Sequence, residues 1–309
     1  MLNNKNNKIK PFLKWAGGKY VLAKKIEEYL PDHIKESKEI DYYFEPFFGG
    51  GGLFCYLTNN YNIKKAYIND INKDLMLSYT VVQNDVDLLI KYLRCLRNDF
   101  IEKSHEGRKN YYLNIRSKFN QQLSNFDYDN YSKEHVKRAA YIIFMNKTCF
   151  NGLFRVNSKG EFNVPMGRYK NPSIFDEKNL KNFSKVLKNT EIHSGDYSYC
   201  EPLIKEGSVI YLDPPYRPLT KTSSFTNYSK ESFDEADQIK LSSFCDRINE
   251  KKNIYLILSN SNPKNVDSED IFFDKWYSNF KRNEIYASRS INSNASKRGK
   301  ISELLITNF

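Results

Sequence analysis

At 309 residues, with 40% hydrophobic and 28% charged residues, the chain is not disordered and can bury a core sized for one large α/β domain or two smaller ones. No apolar run approaches the roughly 20 residues that span a bilayer, and the polar, basic start MLNNKNNKIK has no apolar stretch behind it. Neither a secretory signal nor a membrane anchor is expected, a cytoplasmic location is, and the formal charge of +11 favours a polyanionic partner, although an AT-rich genome also encodes Lys- and Asn-rich chains.

Along the chain, Val21, Leu22, Ile26, Tyr29 and Leu30 recur at helical spacing between Lys19 and Leu30, and Pro31 stops that helix. DYYFEPFFGG (41–50) and KAYINDIN (65–72) read as short buried strands running into loops. From about 76 to 189, polar Tyr- and Asn-rich helices surround one β-hairpin, LFRVNSKGEFNV, whose arms are joined by the turn-forming NSKG. Strands resume at SVIYLDPPY (208–216) and NIYLILSNS (253–261), and NEIYASRSI and SELLITNF add two more across a basic, Ser/Asn-rich connection. This alternation predicts a doubly wound α/β sheet formed by 1–75 and 190–309, with 76–189 inserted as a second domain. Cys55, Cys95, Cys149, Cys200 and Cys245 lie far apart without a C-x-x-C pair, and the four histidines are scattered, so reduced thiols and no zinc site are expected.

EPFFGGGGLF sets Gly49 to Gly52 directly after a strand and before the apolar start of a helix. Glycine lets a backbone approach a ligand closely, and the carboxyl end of a strand in an open α/β sheet is where nucleotides bind. Asp70 ends the next strand, where an acid can take both hydroxyls of a ribose. The same residues could instead make a tight helix–strand contact and an N-cap. AGGKY (16–20) offers a Gly-Lys pair, but Leu13 and Tyr20 break the phosphate-loop pattern, so a ligand with a ribose and no pyrophosphate fits better than ATP.

VIYLDPPYRPL (209–219) closes a strand with Asp213, Pro214, Pro215 and Tyr216. The two prolines fix the backbone and remove two N–H donors, which leaves the carbonyls of Asp213 and Pro214 free to accept hydrogen bonds. A carboxylate beside an outward carbonyl clamps an exocyclic amine, which has two hydrogens to give, and Tyr216 offers its ring a stacking face worth about 1–3 kcal/mol. A base in duplex DNA must leave its stack to reach such a clamp, at a cost of about a few kcal/mol. The alternative is a Pro-rich turn with a solvated acid and a core tyrosine.

With these motifs the sequence resembles the Dam-like, D12-class DNA adenine-N6 methyltransferases, including modification enzymes of restriction systems that act at GATC. The likeness covers nearly the whole chain: PFLKWAGGKY (11–20), FEPFFGGGGLF (44–54), YINDIN (67–72), CFNGLFRVNSKGEFNVPMGRYKNP (149–172), YLDPPYRPL (211–219) and SELLITNF (302–309). The glycine motif precedes the inserted region and Asp-Pro-Pro-Tyr follows it, which looks like the class with a target-recognition domain between the two halves of the catalytic domain. The resemblance implies a Rossmann-like class I methyltransferase sheet, S-adenosylmethionine as donor, S-adenosylhomocysteine as product and no metal. It further implies double-stranded DNA as partner, a monomer or weak dimer, and a cognate restriction endonuclease where the enzyme serves a restriction system.

Carried over position by position, the resemblance implies a catalytic set of Asp213, Pro214, Pro215 and Tyr216. Its cofactor set is Trp15, Ala16, Gly17, Lys19, Glu45, Pro46, Phe47, Gly49, Gly51, Asp70, Asp196, Tyr197 and Asp213. Within it Lys19 pairs with the methionine carboxylate, Asp70 holds the ribose, Trp15 tolerates the nearby sulfonium, and Asp196 and Tyr197 of SGDYSY contact the adenine. A core position is the alternative for Trp15. The implied DNA set is Lys14, Phe150, Asn151, Gly152, Leu153, Arg155, Pro165 and Tyr169. In it Arg155 reads a guanine, Leu153 and Pro165 touch thymine methyls, Lys14 contacts the first base, and Phe150 and Asn151 open or fill the duplex. Phe150 replaces a tyrosine of some relatives, keeping a stacking face without the hydroxyl. A surface hairpin with a solvated Arg155 is the alternative. TKTSSFTNYSKESF (220–233) would close on the flipped base or serve as a plain surface connection.

The implied reaction is direct in-line attack of adenine N6 on the sulfonium methyl, with no covalent enzyme intermediate. Rivals are cytosine-N4 methylation, RNA methylation and a non-catalytic DNA-binding regulator. Asp213 in place of the serine commoner in cytosine-N4 enzymes leans toward adenine, and the hairpin leans toward duplex DNA.

Overall fold

The computed structural model describes residues 8–218, 233–287 and 301–309. The first part of the chain forms α1 (Ala23–Glu28), α2 (Asp32–Ser37), β1 (Glu39–Glu45), α3 (Gly52–Asn60) and β2 (Asn62–Asp70). Five helices follow: α4 (Lys73–Asn84), α5 (Val86–Ile101), α6 (His105–Gln121), α7 (Lys133–Thr148) and α8 (Glu177–Leu187). The chain then returns through β3 (Thr190–Ser194), β4 (Ser208–Leu212), α9 (Glu235–Asn249), β5 (Tyr255–Ser261), α10 (Phe272–Trp276), β6 (Lys281–Ala287) and β7 (Ile301–Thr307).

The seven strands make one sheet in the order β3-β2-β1-β4-β5-β7-β6, in which β7 alone runs antiparallel to its neighbours β5 and β6. This is the mixed α/β sheet with flanking helices that the resemblance implies. Period-two alternation splits its core between two faces. Tyr43, Val209, Tyr211, Ile257 and Leu305 turn one way, and Phe44, Ile210, Leu212, Leu256, Leu258 and Leu304 turn the other. Central β4 is buried at every residue, which explains why SVIYL reads as a continuous apolar run rather than an alternating one. From β1 the chain winds outward through β2 to β3, then crosses back to β4 beside β1 and continues to β5. The winding reverses between β1 and β4, so a crevice opens at the carboxyl ends of those two strands.

Several expectations are corrected. The predicted helix over 19–30 starts only at Ala23, after a turn in which Leu22 N–H donates to Lys19 O at 3.0 Å. Beyond Pro31 a second short helix, α2, follows. Strand β3 was not expected from TEIHS. The hairpin is a turn with two isolated bridges, Val156 to Phe162 and Cys149 to Met166, rather than two paired strands. Its ladder is short: Asn157 N–H donates to Glu161 O (2.9 Å) and Asn163 N–H to Arg155 O (3.1 Å), Asn120 of α6 takes the outward N–H (2.9 Å) and carbonyl (3.1 Å) of Phe162, and Pro165 has no N–H with which to extend the pairing. The predicted boundary at residue 76 falls inside α4, and one buried cluster runs from Tyr43 and Ile68 of the sheet into Leu93, Phe119, Phe144 and Phe183 of the inserted helices. Most of the basic connection before β7 and all of 220–233 except Phe233 lie outside the described residues. Among the described residues no helix is long and apolar enough to cross a membrane.

Candidate active site

The crevice is built first from glycine. After β1 the chain turns through Pro46–Gly51 into α3, with Gly49 (φ 51°) and Gly51 (φ 64°) in left-handed backbone. A Cβ on Gly49 would lie 3.0 Å from Trp15 Cδ1, one on Gly50 3.2 Å from Trp15 Cβ, and one on Gly52 2.8 Å from the Tyr20 nitrogen. The glycines are therefore needed because the strap over 13–20 lies directly on them. Trp15 is half-buried on this loop, with the Phe154 ring centroid 5.3 Å away, while Ala16 and Gly17 form an exposed turn beyond it.

Asp70 ends β2 with both oxygens engaged. Oδ2 accepts Gly49 N–H and Oδ1 accepts Asn72 N–H, each at 2.9 Å. It thus pins the glycine loop and starts α4, and each oxygen keeps a second lone pair for a further donor. Burial raises its pKa. Its neighbour Asn69 is buried and donates to Pro46 O (3.1 Å) and Gly195 O (3.0 Å), joining the loops after β1 and β3. Across that junction Phe47 stacks on Tyr197 with ring centroids 5.2 Å apart. Asp196 is exposed and caps the turn carrying Tyr197, accepting Ser198 N–H at 2.9 Å.

Asp213 leaves β4 into the same crevice. Lys19 Nζ lies 2.9 Å from its Oδ1, with the two side chains only 8% and 17% exposed. That contact has ion-pair distance but poor hydrogen-bond alignment, so Oδ1 lacks a well-directed donor. Lys19 also donates to Gly17 O at 3.1 Å and sits 4.6 Å from the centroid of the Tyr216 ring. Burial raises the Asp213 pKa despite Lys19, and Glu303 adds to the rise. Tyr216 donates its hydroxyl to Glu303 Oε2 at 2.7 Å, which fixes the plane of the ring. The Pro215 carbonyl is taken by Gln238 Nε2 at 2.8 Å, whereas no hydrogen bond from the described residues reaches the buried Pro214's carbonyl.

The inserted helices present a second group. Phe150, Asn151, Arg155, Pro165 and Tyr169 are exposed and Leu153 is half-buried. Phe150 N–H donates to Pro165 O at 2.9 Å, which sets these two side by side. Arg155 gives its Nε–H to Asn163 Oδ1 at 2.8 Å, leaving its two terminal nitrogens without a protein partner among the described residues. Gly152 (φ 67°) lies against the stem of Lys14, whose ammonium is 4.8 Å from the Tyr169 ring centroid. Lys147, half-buried nearby, has its pKa lowered to about 8 by burial and by Lys14 and Lys10.

A family model for D12 class N6 adenine-specific DNA methyltransferases matches residues 15–291. The chain belongs to that family. It is 50% identical over 302 residues to the type II methyltransferase M.MjaIII of Methanocaldococcus jannaschii, covering 97% of this chain and 99% of the relative. It is 37% identical over 308 residues to M1.LlaDCHI of Lactococcus lactis subsp. cremoris, covering 99% and 97%. Against the DNA adenine methylase of Escherichia coli K12 it is 32% identical over 298 residues, covering 96% and 95%. The chain is thus a DNA adenine methyltransferase by family.

Three residues of this D12-class crevice escaped the sequence reading as contacts: Asn69, Gln238 and Glu303. Glu303 left a signal, an acid inside the apolar strand SELLITNF. The other two are ordinary amides in an Asn-rich chain. Glu45 was expected and is found at the end of β1, 3% exposed and accepting the Tyr43 hydroxyl at 2.7 Å. Burial, with a further push from Asp213, raises its pKa to about 8. A raised value means the folded state holds this proton more tightly than the unfolded chain. Its contribution to stability is intact below about 4.5 and is lost as pH climbs through about 8. The melting temperature of the ligand-free protein should therefore fall across this window, and Glu45→Gln should flatten the fall. A pH profile unchanged by the substitution would refute this reading of Glu45.

Proposed function

We propose that this methyltransferase moves a methyl group from S-adenosylmethionine to N6 of an adenine flipped out of duplex DNA, at GATC. The observation that carries the reading is Asp213 at the switch point of the sheet, a buried acid with an oxygen lacking a well-directed donor, next to the open Pro214 carbonyl. Among the described residues Lys19 and Glu303 are the charged groups that act on Asp213, and with Asp70 at the neighbouring strand end the acids outnumber the cation, which suits a positively charged ligand. When bound, S-adenosylmethionine supplies a methyl group already activated by a positive sulfur. Lys19 would hold its carboxylate, Asp70 its ribose, and Phe47, Asp196 and Tyr197 its adenine. Trp15, Ala16, Gly17, Glu45, Pro46, Gly49 and Gly51 would line the rest.

The chain's own groups then do the positioning. Asp213 and the Pro214 carbonyl accept the two hydrogens of the adenine amine and turn its lone pair toward the donor. Pro215 holds the carbonyl in place and Tyr216, its ring plane set by Glu303, stacks on the base. Residues 76–189 serve as the recognition region, with Lys14, Phe150, Asn151, Gly152, Leu153, Arg155, Pro165 and Tyr169 toward DNA. The positive charge of Lys14 and Lys147, which have no ion-pair partner among the described residues, favours a phosphate backbone beside this loop.

Arg155→Ala should cost about 1–3 kcal/mol of discrimination against duplexes with the guanine changed, measured as the ratio of kcat/KM between GATC and that variant. Equal ratios in the two proteins would remove Arg155 from base reading. The whole reading is tested by incubating the protein with tritium-labelled S-adenosylmethionine and duplexes with or without GATC. Label in N6-methyladenine of the GATC duplex alone is expected. Label at another sequence defeats the GATC assignment, and no label in a duplex that the protein binds defeats the reaction.

A further inference from the structure

Several asparagines here act as surrogate strands, each accepting the N–H and donating to the carbonyl of one main-chain residue. Asn59 does this for Ile9 (2.9 and 2.8 Å), Asn179 for Lys10 (2.9 Å each) and Asn146 for Lys14 (2.8 Å each). One strap, residues 9–14, is thereby fastened to α3 of the sheet and to α8 and α7 of the inserted helices. A core of apolar contacts would let such a strap slide, whereas paired amides fix its register.

Asn146 makes one bond more. Its Nδ2 also donates to Gly152 O at 3.0 Å, so a single amide, 3% exposed, joins the strap to the recognition loop. The amide cannot be turned over, since that would set its oxygen against two carbonyls. The junction is close on its other side too. Asn151 (φ 54°) and Gly152 (φ 67°) both take left-handed backbone, and a Cβ on Gly152 would lie 2.3 Å from Lys14 Cδ. One residue past Lys14, Trp15 rests on Gly49 and Gly50, and Gly49 N–H is held by Asp70 at 2.9 Å. A continuous chain of contacts thus runs from exposed Phe150 and Asn151, through Gly152, Asn146, Lys14 and Trp15, to the glycine loop and Asp70.

We propose that Asn146 is a positioning residue that couples engagement of DNA by the 150–153 loop to cofactor binding in the crevice. The proposal rests on the functional reading above, in which the loop and Lys14 face DNA while Trp15 and Asp70 face the cofactor. With Asn146 in place, ordering the loop orders the strap, so each ligand finds the other's site already formed. Without it the two segments settle independently.

The test compares the dissociation constant of S-adenosylhomocysteine, by calorimetry, with and without a saturating GATC duplex. In the wild-type protein the duplex is expected to tighten binding by about tenfold, within the usual range of coupling between sites. Asn146→Ala is expected to abolish that tightening. Gly152→Ala disturbs the same junction without emptying a buried site and should do the same, which keeps the proposal testable if the first variant does not fold. The control is Asn308→Ala. Asn308 likewise accepts Leu256 N–H (2.8 Å) and donates to Ile254 O (3.0 Å), but at the start of β5, the opposite edge from the crevice. It should keep the wild-type ratio. No tightening in the wild-type protein, full tightening in both junction variants, or equal loss in Asn308→Ala overturns the proposal. Failure of the functional reading looks different, because neither the duplex nor S-adenosylhomocysteine then binds the wild-type protein.

Discussion

Asp213→Ala is expected to slow methyl transfer to GATC duplexes by at least about 10³-fold, since it removes one of the two acceptors that hold the amine in a water-poor site. Duplex binding should change little, because the residues proposed to face DNA lie in the loop after α7 and on the strap before α1, and not on β4. Loss of fold is not the expected cause. Burial pushes the Asp213 pKa up even with Lys19 beside it, and Glu303 adds repulsion, so this carboxylate is held at a cost to stability. Its removal relieves that repulsion but leaves the buried Lys19 without its ion-pair partner, so the melting temperature should stay level or fall, and circular dichroism should show the variant still folded. Asp213→Asn is the sharper variant. It keeps the shape but can turn an NH2 group toward the adenine's own NH2, so it should be nearly as slow. Single-turnover transfer of labelled methyl, with duplex affinity by fluorescence anisotropy, measures both. Normal turnover in either variant would defeat the assignment of Asp213.

The sequence carried the centre of the sheet better than its margins. YYFE, YIND and YLDPP are aromatic or β-branched runs that end in acids, and each proved to be a strand delivering a carboxylate to one crevice. Strand β3 gave no such signal because an edge strand shields only one side, so Glu191 and His193 sit in it without penalty. Helix α2 is six residues long, too short for a period to show. The hairpin misled for a different reason. Its alternation is genuine, with Phe154, Phe162 and Val164 buried, but Pro165 ends the pairing, and the outer edge of Phe162 goes to Asn120 on α6, a bond no local pattern can announce. Within the site, Lys19 was expected to meet a ligand carboxylate and is found on the protein's own, Asp213. Residue types and strand ends could be read, whereas the pairing of side chains distant in sequence was set only by the fold.

The inserted helices depend on one ion pair, and Asp74→Ala should show how strongly. Arg138 of α7 is fully buried and grips Asp74 of α4 with two nitrogens, Nε to Oδ1 at 2.6 Å and NH2 to Oδ2 at 2.9 Å. A third bond runs from NH1 to Phe119 O at 3.1 Å, and the guanidinium lies 4.0 Å from the Phe119 ring centroid and 4.7 Å from that of Phe126. Tyr128 adds its hydroxyl to Asp74 Oδ1 at 2.7 Å. One cation thereby ties α4, α6, α7 and the loop before α7 together. Replacing the pair by apolar groups of the same volume could be neutral, but removing the acid alone strands a guanidinium where water cannot reach it. The expected loss is about 3–5 kcal/mol, or a fall of roughly 5–8 °C in melting temperature for a chain of this size. Arg138→Met with Asp74→Leu should recover much of it, because no charge is then left buried. If Asp74→Ala instead melts with the wild-type protein, the pair is not what holds α7 in place, and the positioning of Asn146 and the 150–153 loop must be attributed to the apolar contacts around them.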